Sequence, residues 1–179
     1  PAWALGRPRG ELLTLYVGQV TSFEQLTLNA PTAYALINPS VFYLFKVAGV
    51  ILALALLMIG IWAIYRMHPR LDERLLLHLL TSSALLSVYL LPMMHERYFI
   101  VAEVFCLVLA VYRPRLAGLV IGLQILSLST TSSYLFGSTF LSLADASLIM
   151  LALLVWLIYD LALILKTDQA GSFLPATKD

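Results

Sequence analysis

The sequence predicts an all-α protein, a polytopic transmembrane helical bundle of about five spans with an outward-facing N-terminal loop region. Three observations lead there. Of the 179 residues, 61% are hydrophobic and 12% charged, with a mean hydropathy of +0.91, whereas a soluble domain is about half apolar and about a quarter charged. The apolar residues gather into five runs, the clearest of them long enough for a hydrocarbon layer of ~30 Å. The arginines, finally, collect in alternate loops.

Residues 1–38 interleave Trp3, Tyr16, Phe23 and Tyr34 with Arg7, Pro8, Arg9, Gly10, Gly18, Asn29 and Pro31. That is long for an unstructured connection, so it reads as an extracytoplasmic folded loop or pair of short helices. Within it, LTLNAPTAYALINP resembles a turn, a short helix and a stop at Pro39. Residues 39–165 hold the bundle. The first span, 41–65, is a full crossing, and the second, 75–91, is shorter and ends at Pro92. The third, FIVAEVFCLVLAVY, would by itself reach only ~21 Å. Its helix is therefore expected to start at Pro92, proline being well placed at a first helical position, with MHER in the first turn at the membrane surface. The fourth, 116–135, runs into a Ser/Thr/Gly stretch, 127–142, suited to hydrogen bonds across helices. The fifth, 144–165, is followed by a polar cytoplasmic tail, 166–179.

Loop charge sets the orientation. Segments 66–74 and 113–115 hold five arginines, Arg66, Arg70, Arg74, Arg113 and Arg115, against Arg97 alone in the opposite loops. Positive short loops favour the cytoplasm, so residues 1–38 and the MHER turn are expected outside and the C-terminus inside. The net charge of +1 gives no footprint for a nucleic-acid partner. Cys106 is the only cysteine, which excludes a disulfide within the chain and cysteine-based metal sites. His68, His78 and His95 do not make a metal-ligand cluster, and no P-loop, GxSxG or HExxH occurs.

The chemistry gathers in PMMHERYFIVAE, residues 92–103, which carries His95, Glu96, Arg97 and Glu103. At a helix start, unpaired N–H groups and the macrodipole favour a phosphate or carboxylate. Arg97 adds a fork for phosphate oxygens, His95 a further donor, and Glu96 orients a cation or receives a sugar hydroxyl. The plainer reading is a snorkelling Arg and His with Glu96 complementing the dipole. Glu103 lies seven residues beyond Glu96, on the same face about two turns deeper. A carboxylate there must face protein or water, and a structural partnership with Lys46, Tyr or Ser/Thr groups is the preferred reading. Lys46, behind Phe42, Tyr43 and Phe45, reads as a snorkelling lysine in an aromatic belt, with a phosphate contact as the lesser option. His68 and His78 read as cytoplasmic loop and helix-end residues. Asp160 is expected to pair with Lys166 or reach the inner surface.

MHERYF, at Met94–Phe99, and LTLNAPTAYAL, at 26–36, together resemble the GT-C glycosyltransferases. These are polytopic membrane enzymes that use sugars carried on polyprenyl phosphate, relatives of the GPI mannosyltransferases among them. Bacterial mannosyltransferase-like members often read close to MHERYLFP and LNAPNLYAL; Ile100 and Val101 depart from the first, while Asn29, Ala30, Pro31 and Tyr34 keep the second. The resemblance covers about residues 1–135. It implies a bacterial cytoplasmic membrane, a polyprenyl-phosphate sugar as partner, His95 and Arg97 at the donor phosphate, and Glu96, Tyr98, Asn29 and Lys46 as supporting or acceptor-side groups. It also implies catalytic acids in an outer loop preceding Pro1, the part through which a divalent cation would act if the reaction uses one, on which the sequence is silent; Glu11 and Glu24 sit in no recognisable acidic motif. The chain is thus expected to be the C-terminal part of such an enzyme, inactive alone. The alternative is a non-catalytic GT-C-derived subunit that packs in a larger membrane complex or binds lipid. Transport is weaker, since paired broken helices in two halves are missing.

Overall fold

The computed structural model describes residues 25–38, 41–69 and 71–172, without the side chains of 134 and 168–172. Glu11, Glu24 and the rest of 1–24 lie outside the described residues, as do 173–179. The described residues are all-α apart from one two-residue pairing. Five helices follow one another: α1 Phe42–Met67, α2 Glu73–Leu90, α3 Phe99–Tyr112, α4 Ala117–Phe136 and α5 Leu143–Ser172. The last continues through Lys166, so the first residues of the expected tail are helical.

Local chemistry sets the boundaries. At the start of α2, Asp72 accepts from the Leu75 amide at 2.8 Å, an N-cap with Glu73 behind it in the positive first turn. Ser142 receives the Asp145 amide at 3.1 Å while its hydroxyl donates to the Asp145 carboxylate at 2.6 Å, which opens α5. Gly137, at φ 67°, closes α4 in the left-handed conformation that glycine adopts without strain.

Packing follows a helical stripe on each element. Phe99, Ala102, Cys106 and Leu109 of α3 meet Leu119, Leu123 and Leu126 of α4, and Ala146, Met150, Leu154 and Leu157 of α5; Leu85 and Tyr89 complete the core from α2. The three-and-four spacing lays each set along one face. Helix α1 stands apart, burying only Phe42, Gly49 and Ala53, and an apolar groove of about 600 Å³ opens between it, α2 and α5.

Three helical stretches are long and apolar enough to cross a membrane: Phe42–Met67, Pro114–Ser133 and Leu143–Thr167. The other two helices differ for visible reasons. Helix α2 spends Glu73, Arg74, His78 and four serine or threonine residues within its 18 positions, and α3 has only 14 residues. The expected start of the third helix at Pro92 is corrected here. Met93 takes a left-handed conformation, φ 62°, Met94–His95 is extended as β2, and Glu96–Tyr98 forms a single 3-10 turn leading into α3. The backbone of 94–95 is drawn out of helix because it pairs with 27–28.

Segment 25–38 anchors the bundle at the end where α2 finishes. The buried Tyr34 crosses α1 and donates to the Leu90 carbonyl at 2.7 Å. Its hydroxyl occupies the space a β-carbon on Gly49 would need: that carbon would stand 1.7 Å from the oxygen. Burial pushes the Tyr34 phenol above its ordinary 10.0, so the folded state favours the neutral donor. Its contribution is complete below about pH 10 and fades as pH rises further. Replacing Tyr34 by Phe should cost about 1 kcal/mol, and Gly49→Leu about 1–3 kcal/mol by forcing the ring out. Thermal unfolding of detergent-solubilised protein measures both, with Gly60→Leu, where nothing lies within 4 Å, as the silent control.

Candidate functional site

The two stretches that carry the sequence resemblance, far apart in the chain, meet in space. Strand β1, Thr27–Leu28, pairs parallel with β2 in the register Thr27 to Met94 and Leu28 to His95. The Met93 amide donates to the Leu26 carbonyl at 2.7 Å, and Asn29 makes a further bridge with His95. The Asn29 backbone is left-handed, φ 57°, a conformation asparagine tolerates better than most residues. Its side-chain amide donates to the Thr130 carbonyl of α4 at 2.8 Å. The Ser147 hydroxyl of α5 donates to the Thr32 carbonyl at 2.7 Å, and Tyr34 reaches α2. One loop therefore ties four helices and presents His95 among them.

Around that pairing lie most of the expected site residues. His95 Nδ1 is 3.7 Å from the Glu96 carboxylate, and the Tyr98 ring stands edge-on to the imidazole at 6.0 Å. The His95 and Glu96 side chains are 22% and 18% exposed, enclosed enough to hold an orientation and open enough to meet a ligand. Arg97 is exposed beside them and Tyr98 half-exposed, and no described carboxylate forms an ion pair with Arg97. Residues 95–98 thus carry an imidazole, a guanidinium and a phenol, groups able to receive an anion, with Glu96 placed to orient the imidazole.

Two expected members lie elsewhere. Lys46 extends over the Phe42 ring, 5.6 Å from its centroid, on the first part of α1 as an aromatic-belt lysine would. Glu103 accepts from Gln124 of α4 at 3.4 Å. It thus pairs with an amide, in place of the Lys46, tyrosine or hydroxyl partner expected.

The opposite end of the bundle holds a cluster not foreseen as a unit. Asp160 is 3% exposed. Its carboxylate meets His78 Nε2 at 3.1 Å, Arg113 Nε at 2.8 Å and Nη2 at 3.1 Å, and Arg115 Nη2. His78 Nδ1 is 3.2 Å from Ser82 Oγ. This corrects two expectations: Asp160 pairs with His78, Arg113 and Arg115 and not with Lys166, and His78 is not merely a loop or helix-end residue but a fully buried member of the α2 core face. A helical stripe was the available signal. Asp160 follows Leu157 by three on the α5 core face, and His78 continues the face of Leu75, Ser82, Leu85 and Tyr89. The order Ser–His–Asp is that of a hydrolytic triad, but the carboxylate is already shared by two guanidiniums, and a proton taken up by His78 would add a third cation. The cluster joins α2, α5 and the α3–α4 turn.

Among the described residues, no group of three or more His, Cys, Asp and Glu is placed to hold a metal ion. No known protein family, curated protein or solved structure matches this chain.

Removing the Asp160 side chain leaves two guanidiniums facing each other beside a buried imidazole. Asp160→Ala should cost about 3–5 kcal/mol, the usual cost of breaking a buried ionic network by removing one partner. Asp160→Asn, which keeps the shape and one acceptor, should fall between that variant and the parent in thermal unfolding.

Proposed function

We propose that this chain is the lipid-phosphate-binding part of a membrane glycosyltransferase, and that it receives a polyprenyl-phosphate sugar at the outer face. The observation that carries the reading is the β1–β2 pairing, because it joins the Asn29 loop and the His95–Tyr98 turn, the two stretches that resemble the GT-C enzymes, into one site. In this reading all five helices cross the membrane. The 3-10 turn at Glu96–Tyr98 extends α3 by ~6 Å, to about 27 Å in all. The loops bearing Arg66, Arg74, Arg113 and Arg115 then lie in the cytoplasm, and the lipid phosphate sits at headgroup depth while its tail remains in hydrocarbon.

The residues divide the work by their chemistry. Arg97 engages two phosphate oxygens and His95 donates to a third. Both neutralise the charge that grows on the phosphate as the bond from sugar C1 to phosphate oxygen breaks and the acceptor hydroxyl oxygen bonds to C1. The acceptor proton passes to a carboxylate supplied from outside the described residues, so the described chain binds donor without completing transfer. Glu96 holds the His95 ring, and Tyr98 walls the anion from the bilayer.

In the full protein, His95→Ala or Arg97→Ala should lower sugar transfer by about 10²-fold or more, the scale of losing one oxyanion-stabilising donor. Thermal unfolding of Arg97→Ala should remain within about 0.5 kcal/mol of the parent, since that side chain is exposed, and His95→Ala should remain folded. Binding of polyprenyl phosphate, measured by native mass spectrometry, should weaken in parallel. Unchanged transfer and unchanged lipid binding in both variants would remove the assignment.

A further inference from the structure

Glu103 lies on α3, apart from the contacts of the His95 turn. Its partner, Gln124, stands at the middle of the candidate span Pro114–Ser133, and the two side chains meet at 3.4 Å. In any membrane that α4 crosses, this contact sets an acid at mid-depth.

The pair is not enclosed. Its hydrogen bond lies at the surface of the α3–α4 hairpin, and Gln124 is exposed. One turn to either side, Ile100 and Leu107 on α3 are 55% and 57% exposed, and Ile121 and Leu128 on α4 are 62% and 63% exposed. The ion pairs of the described residues do not include Glu103. Helix α1 supplies the contrast. Its exposed residues from Val47 to Ile61 are apolar without an ionisable group, which is the surface hydrocarbon alone requires. Hydrocarbon does not account for a carboxylate and an amide on the other exposed face. Ionisable groups at that depth face a bundle interior or a water-filled cavity, and pair with one another or with backbone; a face flanked by exposed Ile and Leu side chains calls for the first of these.

We propose that the α3–α4 face centred on Glu103 and Gln124 is the docking surface of a further transmembrane helix, one that presents a lysine or arginine to the Glu103 carboxylate. Charge complementarity selects that occupant, with Gln124 adding a hydrogen bond of the kind that joins helices in lipid. A second copy of the described helices does not meet the requirement. Their basic residues, Lys46, Arg66, Arg74, Arg97, Arg113, Arg115 and Lys166, all lie near helix ends or in turns, away from the depth of Gln124. The inference rests on the membrane placement of α4 and not on the His95 site.

The test uses the full protein in its native membranes, with the photo-crosslinking residue benzoylphenylalanine at Leu107 or Leu128 and, as control, at Ile51 on α1. A discrete protein adduct is expected from the first two positions and none from the third. Peptide mass spectrometry should locate the adduct on an apolar helix that carries a Lys or Arg. Glu103→Gln should lower the adduct yield about tenfold, the factor equivalent to one charge-assisted contact, while Glu103→Asp retains it. Glu103→Lys should abolish the adduct, and changing the partner's basic residue to Glu should restore it; this rescue holds even if the single variants are less stable. Lipid adducts alone, an adduct of two copies of this chain, or a yield unchanged by Glu103→Gln would each overturn the proposal.

Discussion

A four-residue backbone pairing governs the end of the molecule on which the functional reading rests. Segment 94–95 follows an apolar helix and precedes another, and its local tendency is to continue helically from Pro92. It is held extended because its amides and carbonyls meet those of 27–28, with left-handed residues at Met93 and Asn29 turning the two strands into register. Backbone groups beside an apolar bundle need partners, and each strand supplies the other's. The pairing also fixes where α3 begins, and hence where His95, Glu96 and Tyr98 face.

Around that pairing the loop acts as a clamp through contacts of different kinds. Asn29 holds α4, Thr32 receives Ser147 of α5, and Tyr34 crosses Gly49 of α1 to reach the end of α2. The opposite end is joined by charge, where Asp160 gathers His78, Arg113 and Arg115. Hydroxyl and amide bonds at one end and an ionic knot at the other restrain helices whose apolar stripes, by themselves, permit sliding. Helix α1 takes part only at the clamp, which is why a groove opens along its other half.

Much of the helical layout was legible in order and approximate extent. Apolar runs at 41–65, 75–91, 99–112, 116–135 and 144–165 correspond to α1 through α5, because burial of backbone polar groups in apolar surroundings leaves few alternatives to a helix. The reading failed at 92–98, where proline chemistry pointed to a helix start and a non-local strand overrode it. It fails again at the His78–Asp160 contact, since each residue by itself reads otherwise, His78 as a helix-end residue and Asp160 as a partner of Lys166 or an inner-surface group. Their positions on the stripes of Leu75–Leu85 and Met150–Leu157 were visible, but nothing in one stripe names the side chain that faces it from another helix.

The sequence by itself determined the all-α class, the positions of the helices and the concentration of ionisable groups around 95–103, because composition and helical periodicity are local properties. Only the tertiary structure decided that the Asn29 loop lies against His95, that Asp160 is shared by two arginines, and that Glu103 meets Gln124 at a surface. Each of those is a pairing between segments widely separated along the chain, and a hydrogen bond or ion pair depends on distances that the order of residues does not contain.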